Sequence, residues 1–372
     1  MILINSSFED LRNVVIKEDK RVILFGAGVI GRTTLMYKLD ELNLMEKVSC
    51  YVDNDSQKWG HVYEFNTYKL EVKSSEYLNE LYGDQYIIII TMSQYYSVVK
   101  QLDKMNNLDN VICYIAPIMF INQYKNERAL GVVRDSETPL IPKKIHYMWF
   151  GDKQLPKSLR KCIDSWKKFC PDYEIICWNE SNYDVKKSIY MQQAFENKKW
   201  GFIPDYARLD ILYNYGGIYM DTDVELVRSL DDLLYQQAFC CVEKWQVVNF
   251  GSCSGAVRGN KVIGELLDYR ENVTFINEDA TFNMSASGMY EMPPLYKSGY
   301  KINGKIQKLK GLNIYTYDFF NPYDYMTGQT QTTLNTYGVH HFNGGWIEEE
   351  ILEQRKRTVE EYFEIINRMN NK

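Results

Sequence analysis

The run from Ile203 to Leu226, IPDYARLDILYNYGGIYMDTDVEL, constrains the fold more than any other part of the chain. Leu209, Leu212 and Tyr213 repeat at helical spacing after Pro204, a residue suited to the first helical position, and Asp205 falls in the first turn, where a carboxylate is favoured. Gly216 is a stop, and Ile218 to Met220 reads as a short buried strand entered from the Gly216-Gly217 turn. If the chain continues extended, Asp221 and Asp223 share one face and Thr222 takes the other. Two carboxylates side by side at a strand mouth repel each other unless a cation sits with them. Mg²⁺ and Mn²⁺ suit such oxygens and keep further positions for water and phosphate, so the pattern points to handling of a diphosphate. Asp205 and Arg208 are three apart on one helix face, and a guanidinium fork beside the acidic pair suits a phosphate or a sugar hydroxyl. A bare Asp-Thr-Asp also fits an exposed turn; the helix, the double glycine and the strand in register favour the site.

With those residues in place, PDYARLDILYNYGGIYMDTDVEL resembles the signature of glycosyltransferase family 32, the sugar transferases with a DxD motif. Ile141 to Gly151, IPKKIHYMWFG, is similar to that family's opening strand, and Tyr337 to Trp346, YGVHHFNGGW, to its closing motif. The likeness runs from about Pro139 to Trp346. It implies a glycosyltransferase-A (Rossmann-like nucleotide-sugar) α/β fold, a nucleotide-sugar donor, UDP-linked, a Mn²⁺ or Mg²⁺ ion, and transfer with retention at the anomeric carbon. Fungal α-1,6-mannosyltransferases and bacterial capsule-polysaccharide enzymes belong to the family, so the acceptor expected is an oligosaccharide or a lipid-linked glycan in surface-polysaccharide synthesis.

The resemblance also distributes roles. Trp149 stacks on the nucleotide base, or else is an ordinary core tryptophan. Asp205 and Arg208 contact the donor sugar and its phosphate; Asp221 holds the donor and touches the metal; Asp223 is the direct metal ligand; Trp346 lies against the leaving diphosphate. Adjacent histidines in an extended segment cannot both point inward, so one of the pair joins the metal: His341 is the expectation and His340 the alternative. Gly345 stands where the family carries a small hydroxyl residue. Acceptor contacts are expected from the loop-rich Asn277 to Pro294, at Glu278, Asp279 and Ser287, although the family's Thr-Gly-Pro is replaced there by Ser287-Gly288.

Farther upstream, RVILF (Arg21 to Phe25) precedes Gly26-Ala27-Gly28-Val29-Ile30-Gly31 and a helical stretch from Arg32 to Leu42. A second strand, Val48 to Val52, ends at Asp53, and YIIIIT and VICYI read as further parallel strands. This is the layout of a dinucleotide-binding βαβ unit, with Gly26, Gly28, Gly31 and Asp53 as its nucleotide-site candidates. The glycines serve equally well for tight turns, which leaves a ligand-free Rossmann-like domain open.

The division expected is a Rossmann-like domain over 1–125, a linker over 126–138, a catalytic domain over 139–346, and over 347–372 a helix packed on the catalytic domain. A net charge of −6 gives no basic face for nucleic acid. No run approaches the roughly 18 apolar residues of a membrane span, so membrane association is peripheral at most; Lys157, Arg160, Lys161, Lys167 and Lys168 on the helix expected over Pro156 to Phe169 form a solvated face, with contact to anionic lipid as the alternative. Eight cysteines without a CxxC pair read as reduced thiols, which places the chain in the cytoplasm or at the inner face of its membrane. The competing readings are an NAD-dependent oxidoreductase working through Gly26 to Gly31, which leaves the DxD residues without purpose, and an inactive carbohydrate-binding scaffold.

Overall fold

The computed structural model describes residues 1–81, 84–123, 131–151, 153–324, 326–342 and 349–370. Two sheets organise them, and the α/β expectation holds for both. In the first, the apolar runs Arg21–Phe25, Val48–Asp53, Tyr86–Ile90 and Ile112–Ile115 are parallel strands. Val22 to Phe25 and Ile87 to Ile90 are fully enclosed, which is why these strands read as unbroken hydrophobic runs. The order across the sheet is Ile2–Leu3, Ile112–Ile115, Tyr86–Ile90, Arg21–Phe25, Val48–Asp53, Tyr68–Ser74, Val62–Phe65. From Arg21–Phe25 the chain first builds outward on one side and then crosses to Tyr86–Ile90 on the other. The topological switch point therefore lies between those two strands, at their carboxyl ends.

The second sheet runs Gln307–Leu309, Leu312–Tyr315, Ala238–Val242, Ser254–Ala256, Gly217–Tyr219, Lys144–Met148, Glu174–Trp178. Lys144–Met148 is parallel to both its neighbours, whereas Ser254–Ala256 runs antiparallel to Gly217–Tyr219 and Ala238–Val242. The Lys157–Phe169 helix buries Leu159, Ile163 and Trp166 as its spacing predicts and leaves its lysines outside. A two-stranded ladder, Val224–Leu226 with Gly338–His340, sets His340 opposite Val224, one residue from Asp223.

One hydrophobic core joins the two sheets, and a second lies on the opposite face of the second sheet. Tyr37 stacks on Tyr296 at 4.0 Å, the Tyr296 hydroxyl donates to Asp40 at 2.8 Å, and the Ile302 amide donates to Glu41 at 2.8 Å. The Glu349–Asn370 helix meets the second unit as expected, with Val359 against Gly328, but it also reaches the first. It lies along Tyr95–Leu102 of the first unit, where Glu364 pairs with Lys100 at 2.8 Å, Arg368 with Asp103, and Ile365 is buried. Opposite charges on Tyr95–Asp103 match its polar stripe, which the helix's own sequence cannot reveal. All eight cysteines are free, seven of them buried.

Candidate functional site

The Ile203–Tyr215 helix has Pro204 in its first turn and ends at Gly216, whose φ of 64° suits a residue without a Cβ. It delivers Asp205 and Arg208, both buried, to the carboxyl edge of the second sheet. Arg208 donates Nε–H to the Pro204 carbonyl at 2.9 Å and Nη2 to Asp205 Oδ1 at 3.1 Å, and its guanidinium stands 3.7 Å from Asp221 Oδ1. Burial alone would weaken the arginine's hold on its proton, but Asp221, Tyr219 and Asp205 more than restore it, so a fixed cation faces the site. Burial also raises the Asp205 carboxyl above its ordinary range, against the pull of Arg208 and Arg270.

Asp221 and Asp223 are brought together by a turn, not by strand alternation. Gly217–Tyr219 ends the strand, and the Val224 amide donates back to the Asp221 carbonyl at 3.2 Å. The reason is local: the chain must reverse into the ladder with Gly338–His340. Asp221 is fixed by the Tyr219 hydroxyl at 3.0 Å and by its amide on the Gly251 carbonyl at 2.8 Å.

The histidine register differs from the expectation. His340 Nε2 lies 3.2 Å from Asp223 Oδ1, whereas His341 turns away to Glu225 at 2.9 Å. Both rings follow from strand alternation once the pairing of Val224 with His340 is fixed. Asn321 sets the tautomer. Its amide nitrogen donates to the Val242 carbonyl at 3.0 Å, so its oxygen, 3.2 Å from His340 Nδ1, accepts a hydrogen bond from Nδ1–H. Nε2 is left to face the carboxylate. Burial disfavours a charged ring, but Asp223, with Asp221 behind it, drives the His340 pKa upward, so a cation, proton or metal, belongs between these groups.

The donor set fits a divalent ion. Neighbouring ligands of an octahedral ion held at about 2.1 Å are about 3 Å apart, close to the Asp223–His340 separation of 3.2 Å. A carboxylate with an imidazole suits Mn²⁺ better than the more strictly oxygen-seeking Mg²⁺. Among the described residues no group of three or more His, Cys, Asp or Glu is gathered tightly enough to hold an ion unaided. The remaining positions fall to water and substrate oxygens.

Trp149 and Asp221 leave parallel strands at the same sheet edge, since Ile145 pairs with Ile218 and His146 with Tyr219. The Trp149 indole is half-buried and donates to the Lys153 carbonyl at 2.7 Å. Trp346 and Gly345 lie outside the described residues. Glu278 and Asp279 are exposed, and Asp279 accepts from the Thr281 hydroxyl and amide of its own turn, so they do not join the site. Ser287 starts the Gly288–Lys297 helix and lines a cavity between the two units.

In the first unit, Gly26 and Gly31 are packing glycines. A Cβ at Gly31 would overlap the Gly26 carbonyl, and one at Gly26 would press on Met92 and Thr91. Asp53 is engaged within the fold, accepting from the Ala27 amide at 2.8 Å and pairing with Lys58 at 3.2 Å. The carboxylate expected to hold a ribose is thus engaged within the fold, and of the three candidate glycines only Gly28 has nothing within 4 Å of a Cβ.

Three residues absent from the sequence reading, Gly251, Arg270 and Glu291, border the site. Gly251 lies so close that any Cβ would overlap the Asp221 carboxylate and the Arg208 guanidinium. A glycine inside the buried pattern VVNFGSCSG is the signal that marks it. Behind Asp205, Arg270 donates to the Asp205 carbonyl and lies 3.6 Å from Glu291, which is 1% exposed. Burial pushes the Glu291 carboxyl from 4.5 up to about 7 despite Arg270. A carboxyl with a raised folded pKa binds more protons folded than unfolded, so its contribution to stability is greatest below about pH 4.5 and is lost as pH rises to about 7. The loss is at most about 3 kcal/mol, at about 1.4 kcal/mol per pKa unit. We expect the melting temperature to fall between pH 5 and 7.5, and Glu291→Gln to flatten that fall while Arg270 keeps the Asp205 carbonyl and the Tyr290 ring. Melting curves across pH test this, and an unchanged slope in Glu291→Gln would assign the dependence elsewhere.

Part of the chain is similar to known proteins. Residues 156–240 match the family described as glycosyltransferase sugar-binding region containing DXD motif. Subversion of eukaryotic traffic protein A from Legionella pneumophila is 25% identical over 182 residues, covering 41% of this chain and 28% of that protein. Mannosyl phosphorylinositol ceramide synthase SUR1 from Saccharomyces cerevisiae is 37% identical over 108 residues, 27% of each chain. The chain thus spans less than a third of the length of these two relatives. A solved structure, PaToxG Glycosyltransferase, covers 46% of this chain and 67% of its own at 20% identity, with a TM-score of 0.31, too low to bear on the site.

Proposed function

We propose that this chain, which carries a DXD-containing sugar-binding region over residues 156–240, is a metal-dependent glycosyltransferase. It moves a sugar, with retention, from a nucleotide-sugar donor, UDP-linked, to a hydroxyl of a glycan or lipid-linked glycan. The observation that carries the reading is the juxtaposition of Asp221, Asp223, His340 and buried Arg208 at one sheet edge. The mannosyltransferase names among its relatives support the transferase class and turn the acceptor toward glycolipids more than toward capsule.

In this reading the anomeric C–O bond to the diphosphate breaks, the acceptor oxygen bonds to the anomeric carbon, and the acceptor proton passes to a phosphate oxygen. Asp223 and His340 would hold Mn²⁺, with Asp221 alongside; the ion, when bound, neutralises diphosphate charge. Arg208, locked by Asp205 and the Pro204 carbonyl, is a preorganised cation for the charge that develops on the leaving group. Asp221, held by Tyr219 and Gly251, orients the donor. Trp149 at the same edge suits the base.

The test is a panel of nucleotide sugars assayed for hydrolysis and for thermal stabilisation of the full chain. Turnover is expected to drop at least about a hundredfold in excess chelator and to return with Mn²⁺, more fully than with Mg²⁺. Undiminished turnover in chelator would sink the metal-dependent reading.

A further inference from the structure

The switch point of the first sheet faces the second unit. Its carboxyl edge, with Gly28 after Arg21–Phe25 and Ser93 after Tyr86–Ile90, opens into a cavity of about 350 Å³ whose far wall belongs to the second unit: Glu243, Trp245, Val247 and Ser287. The crevice outside a switch point is where open α/β sheets bind ligands, and the volume falls within the roughly 300–1,000 Å³ usual for small-molecule sites.

The lining selects a chemical class. Among the described residues it contains no lysine or arginine, so a phosphate or an anionic headgroup would meet no compensating charge from them. It offers instead one carboxylate, several hydroxyls and apolar surface on Trp245 and Val247. The Ser287 hydroxyl makes no capping bond to the helix it begins. Hydroxyl partners around an apolar wall match a neutral sugar ring, which presents hydroxyls at its rim and C–H groups on its faces.

The cavity is also wired to the metal edge. Glu243 Oε1 accepts from the Asn249 side-chain amide at 2.8 Å; Asn249 Oδ1 accepts from the Gly251 amide at 2.7 Å; and the Gly251 carbonyl holds the Asp221 amide at 2.8 Å. Glu243 further lines a narrow cleft with Asn321 and Phe342, the ring stacked at 4.1 Å on His340. One residue thus stands on the boundary between the cavity and the donor edge.

We propose that this cavity is the acceptor site for a neutral saccharide unit, with the Glu243 carboxylate accepting a hydrogen bond from an acceptor hydroxyl and with Gly28 of the first unit forming part of the floor. The inference rests on the transferase reading and deepens it: the Rossmann-like unit serves acceptor selection, not dinucleotide binding.

The decisive variant is Gly28→Phe. Gly28 has extended backbone, and a Cβ there meets nothing within 4 Å, so the new ring enters the cavity without displacing the fold. Saturation-transfer NMR on the full chain, with methyl glycosides of neutral hexoses as probes, should give signals that Gly28→Phe abolishes. In transfer assays the acceptor KM should rise at least tenfold in Gly28→Phe and several-fold in Ser287→Ala. Melting curves establish that both variants are folded; if Gly28→Phe is not, Ser287→Ala carries the test. Absence of signal from every neutral glycoside, signals or KM values that folded variants leave unchanged, or a uridine nucleotide or NAD signal that Gly28→Phe removes, would each overturn the proposal. Metal-dependent donor hydrolysis by the unaltered chain reports on the transferase reading separately.

Discussion

Asp223→Ala is expected to lower donor turnover about a thousandfold without unfolding the chain, the largest effect of any single substitution in the site. Asp223 is 6% exposed and is the only carboxylate in the described structure against His340 Nε2, at 3.2 Å. Its removal takes away one of two convergent donors and leaves the imidazole without its anionic partner. Excess Mn²⁺ is not expected to restore the rate, because one nitrogen ligand cannot hold the ion unaided. His340→Ala should differ in kind. Asp223 persists, so the half-activating Mn²⁺ concentration should rise at least tenfold and high metal should recover part of the rate. Asn321→Ala should shift it in the same direction by about tenfold, since a group orienting a ligand typically contributes 10–100-fold in metal affinity. His341→Ala, whose ring sits on Glu225, should leave metal demand near that of the unaltered chain. Metal titrations of the four variants decide the matter. Asp223→Ala within tenfold of the unaltered rate, or a metal shift in His341→Ala and not in His340→Ala, would refute the assignment.

The contrast between the histidines marks where sequence reading ends. The helix from Ile203, the Gly216 stop, the strand and the acidic pair were all legible, because each is written in local periodicity and in residue types that suit one backbone conformation. The parallel strands of the first sheet were legible for the same reason: RVILF and YIIII are enclosed on both faces and say so. Which histidine meets the metal edge depends instead on the register between Val224 and His340, more than a hundred residues apart, and a one-residue slip exchanges the two rings. Asp53 failed in a similar way. Its spacing after Gly31 matched a ribose-binding carboxylate, but the fold spends that carboxylate on Ala27 and Lys58, and pairings of this kind leave no local pattern. Glu243, Asn249 and Asn321 sit beside buried strands and read as core until the second sheet brings them to one edge.

Gly251→Ala is expected to cost about a hundredfold or more in turnover, with metal demand changing little and the melting temperature falling only modestly. A single methyl at Gly251 would occupy space held by the Asp221 carboxylate and the Arg208 guanidinium at once. Neither can yield freely. Arg208 is tied to the Pro204 carbonyl and Asp205, and Asp221 to the Tyr219 hydroxyl, while the Gly251 backbone itself is pinned by Asn249 Oδ1 and by the Asp221 amide. The displaced groups are those that face the donor's diphosphate, and a misplacement of about 1 Å in a preorganised site can cost about a hundredfold. The metal pair, Asp223 with His340, belongs to the neighbouring ladder and keeps its own supports, so the half-activating Mn²⁺ concentration should stay close to that of the unaltered chain. This separates the variant from His340→Ala, in which metal demand moves first. Turnover, metal titration and melting curves measured together give the test. Unaltered turnover in Gly251→Ala would mean that Arg208 and Asp221 need not be held where the fold places them, and the proposed role of the guanidinium at the leaving group would fall with it.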